Sequence, residues 1–455
     1  MIHTLTLVAD SITPVRAYAA LRRAGGDAAS FLLESVVAGE RWGRYSILGY
    51  RPRYESLLLP GDSIDAAEKL FRTDASRIHA TPAERFARAQ VGYMAWDLVH
   101  AIEKVPGWGE RVASPIARFV GGATVLVFDN LEQTVTIAGE SQADLERARH
   151  DLARAPELAP LPIPDRTRMP RGVEVDTDDA TFEANVRRAQ EYIAAGDAFQ
   201  IVLSRTFRVP REGRDPFDAY RAMRVLNPSP YMYFLDLPPA PGETTRTQIA
   251  GASPETMVRL DGGVMTLRPI AGTMPRGATQ EEDAANERRL LADPKERAEH
   301  VMLIDLGRND VGRVAETGSV ELVRRMEIER YSHVMHIVSE VRGRVPSSVT
   351  PFDVVRAAFP AGTLSGAPKV RAMQIIRELE GRPRGIYGGA IGYVAATGDL
   401  DFAIAIRTAV CRGEHFEVTA GAGLVEGSVP KSEADETRSK ARGVLCAIEA
   451  VPRSN

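Results

Sequence analysis

Two pairs of glutamates, far apart in the sequence, have the spacing that places both carboxylates of a pair on one face of a helix. Glu296 and Glu299 lie in KERAEHVMLIDLGRND, and Glu433 and Glu436 lie in PKSEADETRSKARG, with Lys440 one turn further on. Like charges at this spacing repel each other unless a cation lies between them. Two such faces turned towards one cleft would supply the oxygen ligands that Mg²⁺ prefers. The alternative is two solvated helix faces with ordinary charge pairing.

Four glycine-rich segments are predicted to be turns that follow apolar strands: 268–277, 359–369, 386–393 and 419–428. Glycine lets the backbone approach a ligand closely, and its N–H groups can bind carboxylate oxygens. None of the segments matches a phosphate-binding loop or a dinucleotide fingerprint, so nucleotide binding is disfavoured. Because Thr273, Thr363, Tyr387 and Arg407 lie near them, a small carboxylate ligand is favoured over plain tight turns.

Two histidines, His333 and His336, lie three residues apart in RYSHVMHIVSEV, which we interpret as the start of an apolar helix. A histidine can act as acid or base near neutral pH. A capping or core histidine is the alternative, and a two-histidine metal site lacks a third ligand nearby. Cys411 and Cys446 lie in strand-like and helical apolar surroundings, so neither resembles the activated thiol of a glutamine-hydrolysing site.

The elements that must position these residues are interrupted by a proline-rich stretch at 153–172. We therefore divide the chain into an N-terminal region (1–152), a linker (153–175) and a C-terminal region (176–455). Strands are predicted at SFLLESV, RYSILGY, ATVLVFD, AFQIVLSRTFRV, YMYFLDL, TMVRLDG, VMTLRPIAG, YGGAIGYVA and DFAIAIRTAV. Helices are predicted at QADLERARHDLARA, FEANVRRAQEYIAAG, ERAEHVMLIDLGRND, MHIVSEVRG, KVRAMQIIRELEG and EADETRSKARGVLCAIEAV. This mixed α/β pattern leaves open whether the two regions are independent or share one core.

The bulk composition is that of an ordinary globular protein. The 455 residues are 44% hydrophobic and 26% charged, with a formal net charge of −4. That balance indicates neither a nucleic-acid partner nor an anionic membrane surface. No signal peptide is visible and no apolar run approaches the roughly 18 residues that span a membrane. With only two cysteines, we expect a cytoplasmic location.

A set of ordered motifs resembles the large subunits of anthranilate synthase, within the chorismate-utilising enzymes. They include SFLLESVVAGERWGRYSILG, GDAFQIVLSRTF, LNPSPYMYFL, GASPETMVRL, RPIAGTMPRG, FPAGTLSGAPKVRAMQIIRELE, RGIYGGAIGY, DFAIAIRT and AGAGLVEGSVPKSEADETRSKA, and the resemblance runs from about Phe31 to Ile448. It implies a large α/β (α+β) sandwich, in which two antiparallel-rich sheets pack together with helices outside.

The resemblance also implies a site that binds chorismate with Mg²⁺. The metal carboxylates would be Glu299 and Glu436, with Glu296 and Glu433 nearby. Substrate contacts map onto Gly272, Thr273, Thr363, Tyr387, Arg407, Gly421, Ala422 and Gly423, and catalytic roles onto His336, Glu255, Thr273 and Lys440. In such enzymes ammonia adds at C2 of the ring while the C4 hydroxyl leaves, and pyruvate is then eliminated. His336 would assist departure of the hydroxyl, and Glu255 would handle the C2 proton.

Two positions distinguish this sequence from related enzymes. Ala271 stands where aminodeoxychorismate synthases commonly carry a nucleophilic lysine, and Gln200 stands where isochorismate and salicylate synthases commonly carry a lysine base. Ammonia as nucleophile and anthranilate as product are therefore favoured. The alternatives are an aminodeoxychorismate synthase, a 2-amino-2-deoxyisochorismate synthase, and a non-catalytic tryptophan-binding regulatory subunit.

The N-terminal region contributes a further expectation, which is feedback inhibition by L-tryptophan. LLES (32–35) and NPSPYM (227–232) resemble tryptophan-binding elements, and the residues concerned are Leu33, Glu34, Ser35, Pro230, Tyr231 and Met232. Plain packing segments are the alternative. Because no thiol site is predicted, the resemblance implies a separate glutamine amidotransferase subunit that delivers ammonia.

Overall fold

A computed structural model describes residues 2–35, 44–74, 81–108, 114–331 and 334–453. Its helices are α1 (Pro14–Gly25), α2 (Ile64–Glu68), α3 (Pro82–Ala87), α4 (Val99–Ile102), α5 (Gln142–Ala153), α6 (Asp179–Ala194), α7 (Pro216–Leu226), α8 (Gln280–Ala292), α9 (Pro294–Gly312), α10 (Pro351–Ala358), α11 (Gly362–Ser365), α12 (Lys369–Glu380) and α13 (Pro430–Glu449). A short 3-10 helix covers Trp96–Leu98. None of the helices in these ranges combines the length and the apolar character that crossing a membrane requires.

The strands in chain order are β1 (His3–Val8), β2 (Ser30–Glu34), β3 (Tyr45–Tyr50), β4 (Tyr54–Leu58), β5 (Gln90–Met94), β6 (Ala117–Gly121), β7 (Thr124–Asp129), β8 (Thr134–Gly139), β9 (Glu174–Val175), β10 (Gln200–Pro210) and β11 (Tyr231–Leu237). They continue with β12 (Thr247–Ser253), β13 (Thr256–Asp261), β14 (Val264–Leu267), β15 (Ile270–Pro275), β16 (Glu321–Arg330), β17 (Val334–Arg344), β18 (Gly366–Ala367), β19 (Ala390–Val394), β20 (Leu400–Ile404), β21 (Thr408–Arg412) and β22 (His415–Leu424).

These strands form two large sheets. The twelve-stranded sheet has the order β1-β8-β7-β3-β2-β11-β12-β21-β22-β10-β18, with β9 beside β10. The ten-stranded sheet has the order β15-β17-β14-β13-β20-β19-β5-β6-β4, with β16 beside β17. Neighbouring strands run antiparallel, as in the pairs β2–β11 and β5–β19. The predicted sandwich of two antiparallel sheets with helices is confirmed.

Both sheets mix strands from either side of the proline-rich linker. Strand β2 pairs with β11 in the first sheet, and β5 pairs with β19 in the second. The stretch 154–173 contains neither helix nor strand, as its prolines predict. The question that composition left open is therefore answered, because the regions on the two sides of the linker share one interleaved core.

The alternation of side chains along the central strands explains where the core lies. In β11, Phe234 faces a buried cluster with α1 and α7, whereas Tyr233 and Leu235 face a second cluster between the sheets. Successive residues of a strand point to opposite faces. Since both faces of β11 are buried, the strand reads as a continuous apolar run rather than an alternating one.

Two predicted elements are wrong. The segment MHIVSEVRG is part of strand β17, and not a helix, because it is held between β15 and β14 on one side and β16 on the other. Its β-branched Ile337, Val338 and Val341 suit a strand. The segment VMTLRPIAG is two strands, β14 and β15, which are separated at Arg268 and Pro269.

Candidate functional site

His336 lies near the start of strand β17, opposite Thr273 of β15. Its Nδ1 is 3.0 Å from the Gly272 carbonyl oxygen and 3.1 Å from the Thr273 hydroxyl. Because a carbonyl only accepts, this contact favours the tautomer with the proton on Nδ1 and leaves Nε2 as an acceptor. Burial lowers the pKa of His336, the Gly272 carbonyl opposes this, and Arg407 lowers it further, so the neutral ring prevails at neutral pH. His333 lies outside the described residues.

Gly272 brings strand β15 close to helix α9. Its φ is +66°, a backbone conformation that side chains other than glycine rarely adopt, and the β15–β17 register shifts at this point. A Cβ atom there would lie 3.1 Å from Glu296 Oε2. The absence of a side chain therefore lets Glu296 approach the strand that carries Thr273.

The two glutamate pairs lie near one another, on helices α9 and α13. Helix α9 begins at Pro294 because Asp293 accepts hydrogen bonds from the amides of the next turn, and α13 begins at Pro430. Burial raises the pKa of Glu296, and the charges of Glu299 and Glu436 raise it further. Glu436, on the distant helix, is thus close enough to repel Glu296.

The predicted metal ligands are carboxylates, which suit a hard divalent cation, but two of them contact other side chains of the protein. Glu436 forms an ion pair of 2.5 Å with Lys440, and Glu299 accepts a hydrogen bond of 3.2 Å from the Gln200 side chain. Burial, and then the charge of Glu436, raise the pKa of Glu433, while Ser428 opposes them. In the described ranges no three His, Cys, Asp or Glu side chains converge closely enough to hold a metal ion. Carboxylates that repel each other in one cleft are nevertheless the donor set that Mg²⁺ takes.

Lys440 and Arg407 supply positive charge beside these acids. Lys440 Nζ donates to the Gly421 carbonyl at 3.1 Å, and Arg407 Nη1 donates to the Lys440 carbonyl at 3.0 Å. Arg407 is half-buried and has a φ of +51°, which is uncommon for a residue other than glycine. Removal from water lowers the pKa of Arg407. The Lys440 ammonium and the Arg407 guanidinium are thus arranged as hydrogen-bond donors for a carboxylate ligand.

Tyr387 and the glycine-rich strand β22 form a further part of the candidate site. A Cβ at Gly421 would lie 2.6 Å from the Tyr387 hydroxyl, and one at Gly423 would lie 3.1 Å from Gln200 Nε2. Two of the predicted glycine-rich turns are corrected, because residues 419–424 of the segment 419–428 belong to strand β22 and Ile270–Pro275 form strand β15. The glycines of β22 make room for side chains across the sheet. Ala422 is fully buried in the hydrophobic core, so only its backbone can contribute to the site.

Glu255 lies close to the positively charged side chains of Lys440 and Arg407. Removal from water raises its pKa to about 7, and the charges of Lys440 and Arg407 oppose that shift. The Thr363 hydroxyl lies next to the carboxyl and also opposes the rise in the pKa of Glu255. A carboxyl with this pKa can both accept and donate a proton near neutral pH.

Sequence reasoning missed several contacts that organise the site. His300, adjacent to Glu299, is fully buried and bonds Ser339 of β17 at 2.7 Å, so it ties helix α9 to the strand of His336. The ring of Tyr331 packs on His336 with centroids 5.6 Å apart. The histidine in KERAEH was a visible signal, but its partner is 39 residues away and could not be read from the sequence.

A second cavity, of about 1030 Å³, lies between the two sheets. All six residues predicted to bind tryptophan line it: Leu33, Glu34, Ser35, Pro230, Tyr231 and Met232. Glu34 accepts hydrogen bonds from Tyr220 and Arg224, at 2.6 and 3.2 Å. The buried Ser35 hydroxyl has no partner within the described part of the chain. Within the described residues, the cavity is therefore lined by a serine whose buried hydroxyl is unpaired and by a buried carboxylate.

Comparisons with known proteins identify the family of the chain. The family model of chorismate binding enzymes matches residues 30–445. The anthranilate synthase component 1 of Streptomyces coelicolor is 44% identical over 96% of this chain and 87% of its own length, and that of Acinetobacter calcoaceticus is 42% identical over 97% and 94%. The crystal structure of anthranilate synthase component I from Streptococcus pneumoniae superposes with a TM-score of 0.75 at 35% identity, covering 96% of this chain and 99% of that one. The chain belongs to the chorismate-binding enzyme family.

Proposed function

We propose that the chain is the ammonia-using subunit of an anthranilate synthase. The reaction converts chorismate and ammonia to anthranilate, pyruvate and water. The observation that carries the proposal is that His336, Glu255, Arg407 and two glutamate pairs from distant helices lie close enough for their charges to interact, with Lys440 bonded to Gly421 among them. The similarity to relatives with the component 1 name, over nearly the full chain, supports it.

The residues of this site would have different roles in binding and catalysis, according to their chemistry. Arg407 and the Lys440 ammonium would bind the substrate carboxylates through charge-assisted hydrogen bonds. Glu255, with a pKa of about 7, would take the proton from C2 during elimination of pyruvate. His336, oriented through Nδ1 by the Gly272 carbonyl, would accept at Nε2 the proton that the attacking ammonia loses and pass it to the C4 hydroxyl, which leaves as water. Glu299 and Glu436, with Glu296 and Glu433, would hold Mg²⁺, which when bound neutralises these acids and polarises the ring carboxylate.

The choice of ammonia is supported by two side chains that carry no amine. Gln200 donates to Glu299, and Ala271 pairs with Ile337 across β15 and β17. Neither can act as the base or nucleophile that the alternative products need. The free thiols are unsuited to glutamine hydrolysis, since burial raises the pKa of Cys411 to about 12 and also raises that of Cys446. A glutamine amidotransferase subunit would therefore supply the ammonia, and we place both subunits in the cytoplasm.

The cavity lined by Ser35 and Tyr231 supports feedback inhibition by L-tryptophan. It is large enough for an amino acid, and the Glu34 carboxylate and the Ser35 hydroxyl offer polar partners for the ammonium and carboxylate groups.

One assay separates this proposal from its alternatives. The purified chain is mixed with chorismate, Mg²⁺ and ammonium at alkaline pH, and anthranilate fluorescence and pyruvate are followed. Equal amounts of both products are expected. An aminated product without pyruvate would indicate a 2-amino-2-deoxyisochorismate synthase, and a 4-amino product an aminodeoxychorismate synthase. Tryptophan binding without any turnover would indicate a regulatory subunit.

A further inference from the structure

Glu255 lies in a two-residue crossover between the sheets. Strand β12 ends at Ser253 in the twelve-stranded sheet, and β13 begins at Thr256 in the ten-stranded sheet. Only Pro254 and Glu255 separate them. The position of the Glu255 carboxyl therefore depends on how the two ends of the crossover are held.

Tyr231 contacts residues on both sides of this crossover. Its backbone pairs with Ser253 across β11 and β12. Its hydroxyl lies 2.9 Å from the Thr256 hydroxyl and donates to Asp401 Oδ1 at 3.0 Å. A hydroxyl has one proton, so Tyr231 donates to Asp401 and accepts from Thr256. Tyr231 thus connects Ser253, before the crossover, through its backbone, and Thr256 and Asp401 of the second sheet through its hydroxyl.

Strand β20 fixes the crossover from the other sheet. The amide of Ile404 donates to the Glu255 carbonyl at 3.0 Å, and Asp401 of the same strand receives the Tyr231 hydroxyl. The Glu255 amide also donates to the Ser253 hydroxyl at 3.3 Å. A displacement of Tyr231 would therefore change contacts on both sides of Glu255.

Tyr231 is at the same time part of the cavity wall, beside Ser35, Pro230 and Met232. Thr256 is not among the residues that line the cavity. Asp401, which receives the Tyr231 hydroxyl, does line it. A ligand in the cavity can therefore contact both Tyr231 and Asp401, whereas it has no direct contact with Thr256.

We propose that Tyr231 is a positioning residue for Glu255, and that a ligand filling the cavity inhibits turnover by drawing the Tyr231 hydroxyl away from Thr256 and Asp401. This inference rests on the proposed function, which places tryptophan in the cavity and proton transfer at Glu255. A ligand shifts an equilibrium only by its different affinity for two states. Here the two states are the hydroxyl engaged with the crossover and the hydroxyl released from it.

The test uses Thr256→Val in the full chain. Valine keeps the shape and the strand preference of threonine but removes the hydroxyl, without touching the cavity. Tryptophan affinity, measured by calorimetry, should stay within about twofold of wild type, because the cavity wall is unchanged. The factor by which saturating tryptophan lowers kcat should fall by about fivefold or more, similar in size to a typical coupling between sites. The value of kcat should also fall more than KM changes.

The matched control is Tyr18→Phe. It removes another buried hydroxyl–hydroxyl bond, of 2.8 Å to Ser30, far from the crossover, and Tyr18 does not line the cavity. This variant should keep the wild-type coupling factor. Thermal unfolding of each variant verifies the fold. If Thr256→Val does not fold, Tyr231→Phe, which removes the other hydroxyl of the same bond, replaces it in the test.

Three results would overturn the inference. A folded Thr256→Val variant with wild-type inhibition would show that the hydroxyl chain carries no coupling. Loss of tryptophan binding in that variant would show that Thr256 shapes the cavity itself. A wild-type chain that makes no anthranilate, or that does not bind tryptophan, would remove the proposed function and the inference with it.

Discussion

From the raised pKa of Glu255 we predict how the stability of the folded chain depends on pH. The free energy of unfolding should fall as pH rises from about 4.5 to above 7, because the pKa of the carboxyl is about 7 in the folded chain and has its ordinary value of 4.5 when the group is exposed. Below both values the group is neutral in either state and contributes no penalty. Above both it is charged in either state, and the folded state bears the cost of burying that charge.

The size of the effect follows from the shift. A pKa unit corresponds to about 1.4 kcal/mol, so the change from 4.5 to about 7 sets an upper bound of about 3 kcal/mol on the stability lost at high pH. Glu255→Gln removes the charge. The variant should therefore gain up to about 3 kcal/mol over wild type at pH 9, show little gain at pH 4.5, and lose turnover.

Urea unfolding at several pH values between 4.5 and 9 measures this difference directly. Glu378→Gln is the matched control, since Glu378 is an exposed glutamate whose partner is the Tyr192 hydroxyl at 2.8 Å. That substitution should leave the dependence on pH unchanged. If Glu255→Gln and wild type have parallel stability curves across this range, the buried, proton-holding role of Glu255 is wrong.

Three further substitutions test the candidate catalytic site and the cavity. Gly421→Ala should raise the KM for chorismate by about tenfold, because overpacking against the Tyr387 hydroxyl costs on the order of 1–3 kcal/mol; unchanged initial-rate kinetics would contradict the close approach. Arg407→Lys should raise KM by a similar factor of about ten, as a lysine cannot form the paired donor fork; wild-type KM would exclude carboxylate recognition there. Ser35→Phe should abolish inhibition by tryptophan and spare turnover, and an unchanged dose response would place the inhibitor elsewhere.

Local patterns predicted the elements that carry the acids. Glu296 and Glu299 are in a helix because Asp293 and Pro294 start one, and their spacing then places both on one face. The apolar run of β11 likewise identified a strand, since it is bounded by prolines and rich in aromatic residues. In such segments the local preference and the tertiary contacts agree.

Segments whose conformation depends on distant contacts were not predictable. Strand β17 is buried on both faces around Ile337 and Val338, so it lacks the alternation that distinguishes a strand from a helix. Gly421 is required by the Tyr387 hydroxyl, which approaches from another part of the chain. The bond between Gln200 and Glu299 joins residues 99 positions apart. The motif resemblance located all three segments, but their geometry needed the fold.

The most direct measurement counts the divalent ions that the chain binds. Mn²⁺ replaces Mg²⁺ as a spectroscopic probe, with chorismate present and ammonia absent, and free Mn²⁺ is followed by electron paramagnetic resonance in wild type, Glu299→Gln and Glu436→Gln. We expect one tightly bound ion per wild-type chain and loss of that ion in either variant, although the substituted residues lie on different helices. Retention of the ion in one variant, or two independent ions in wild type, would show that α9 and α13 do not share a metal site.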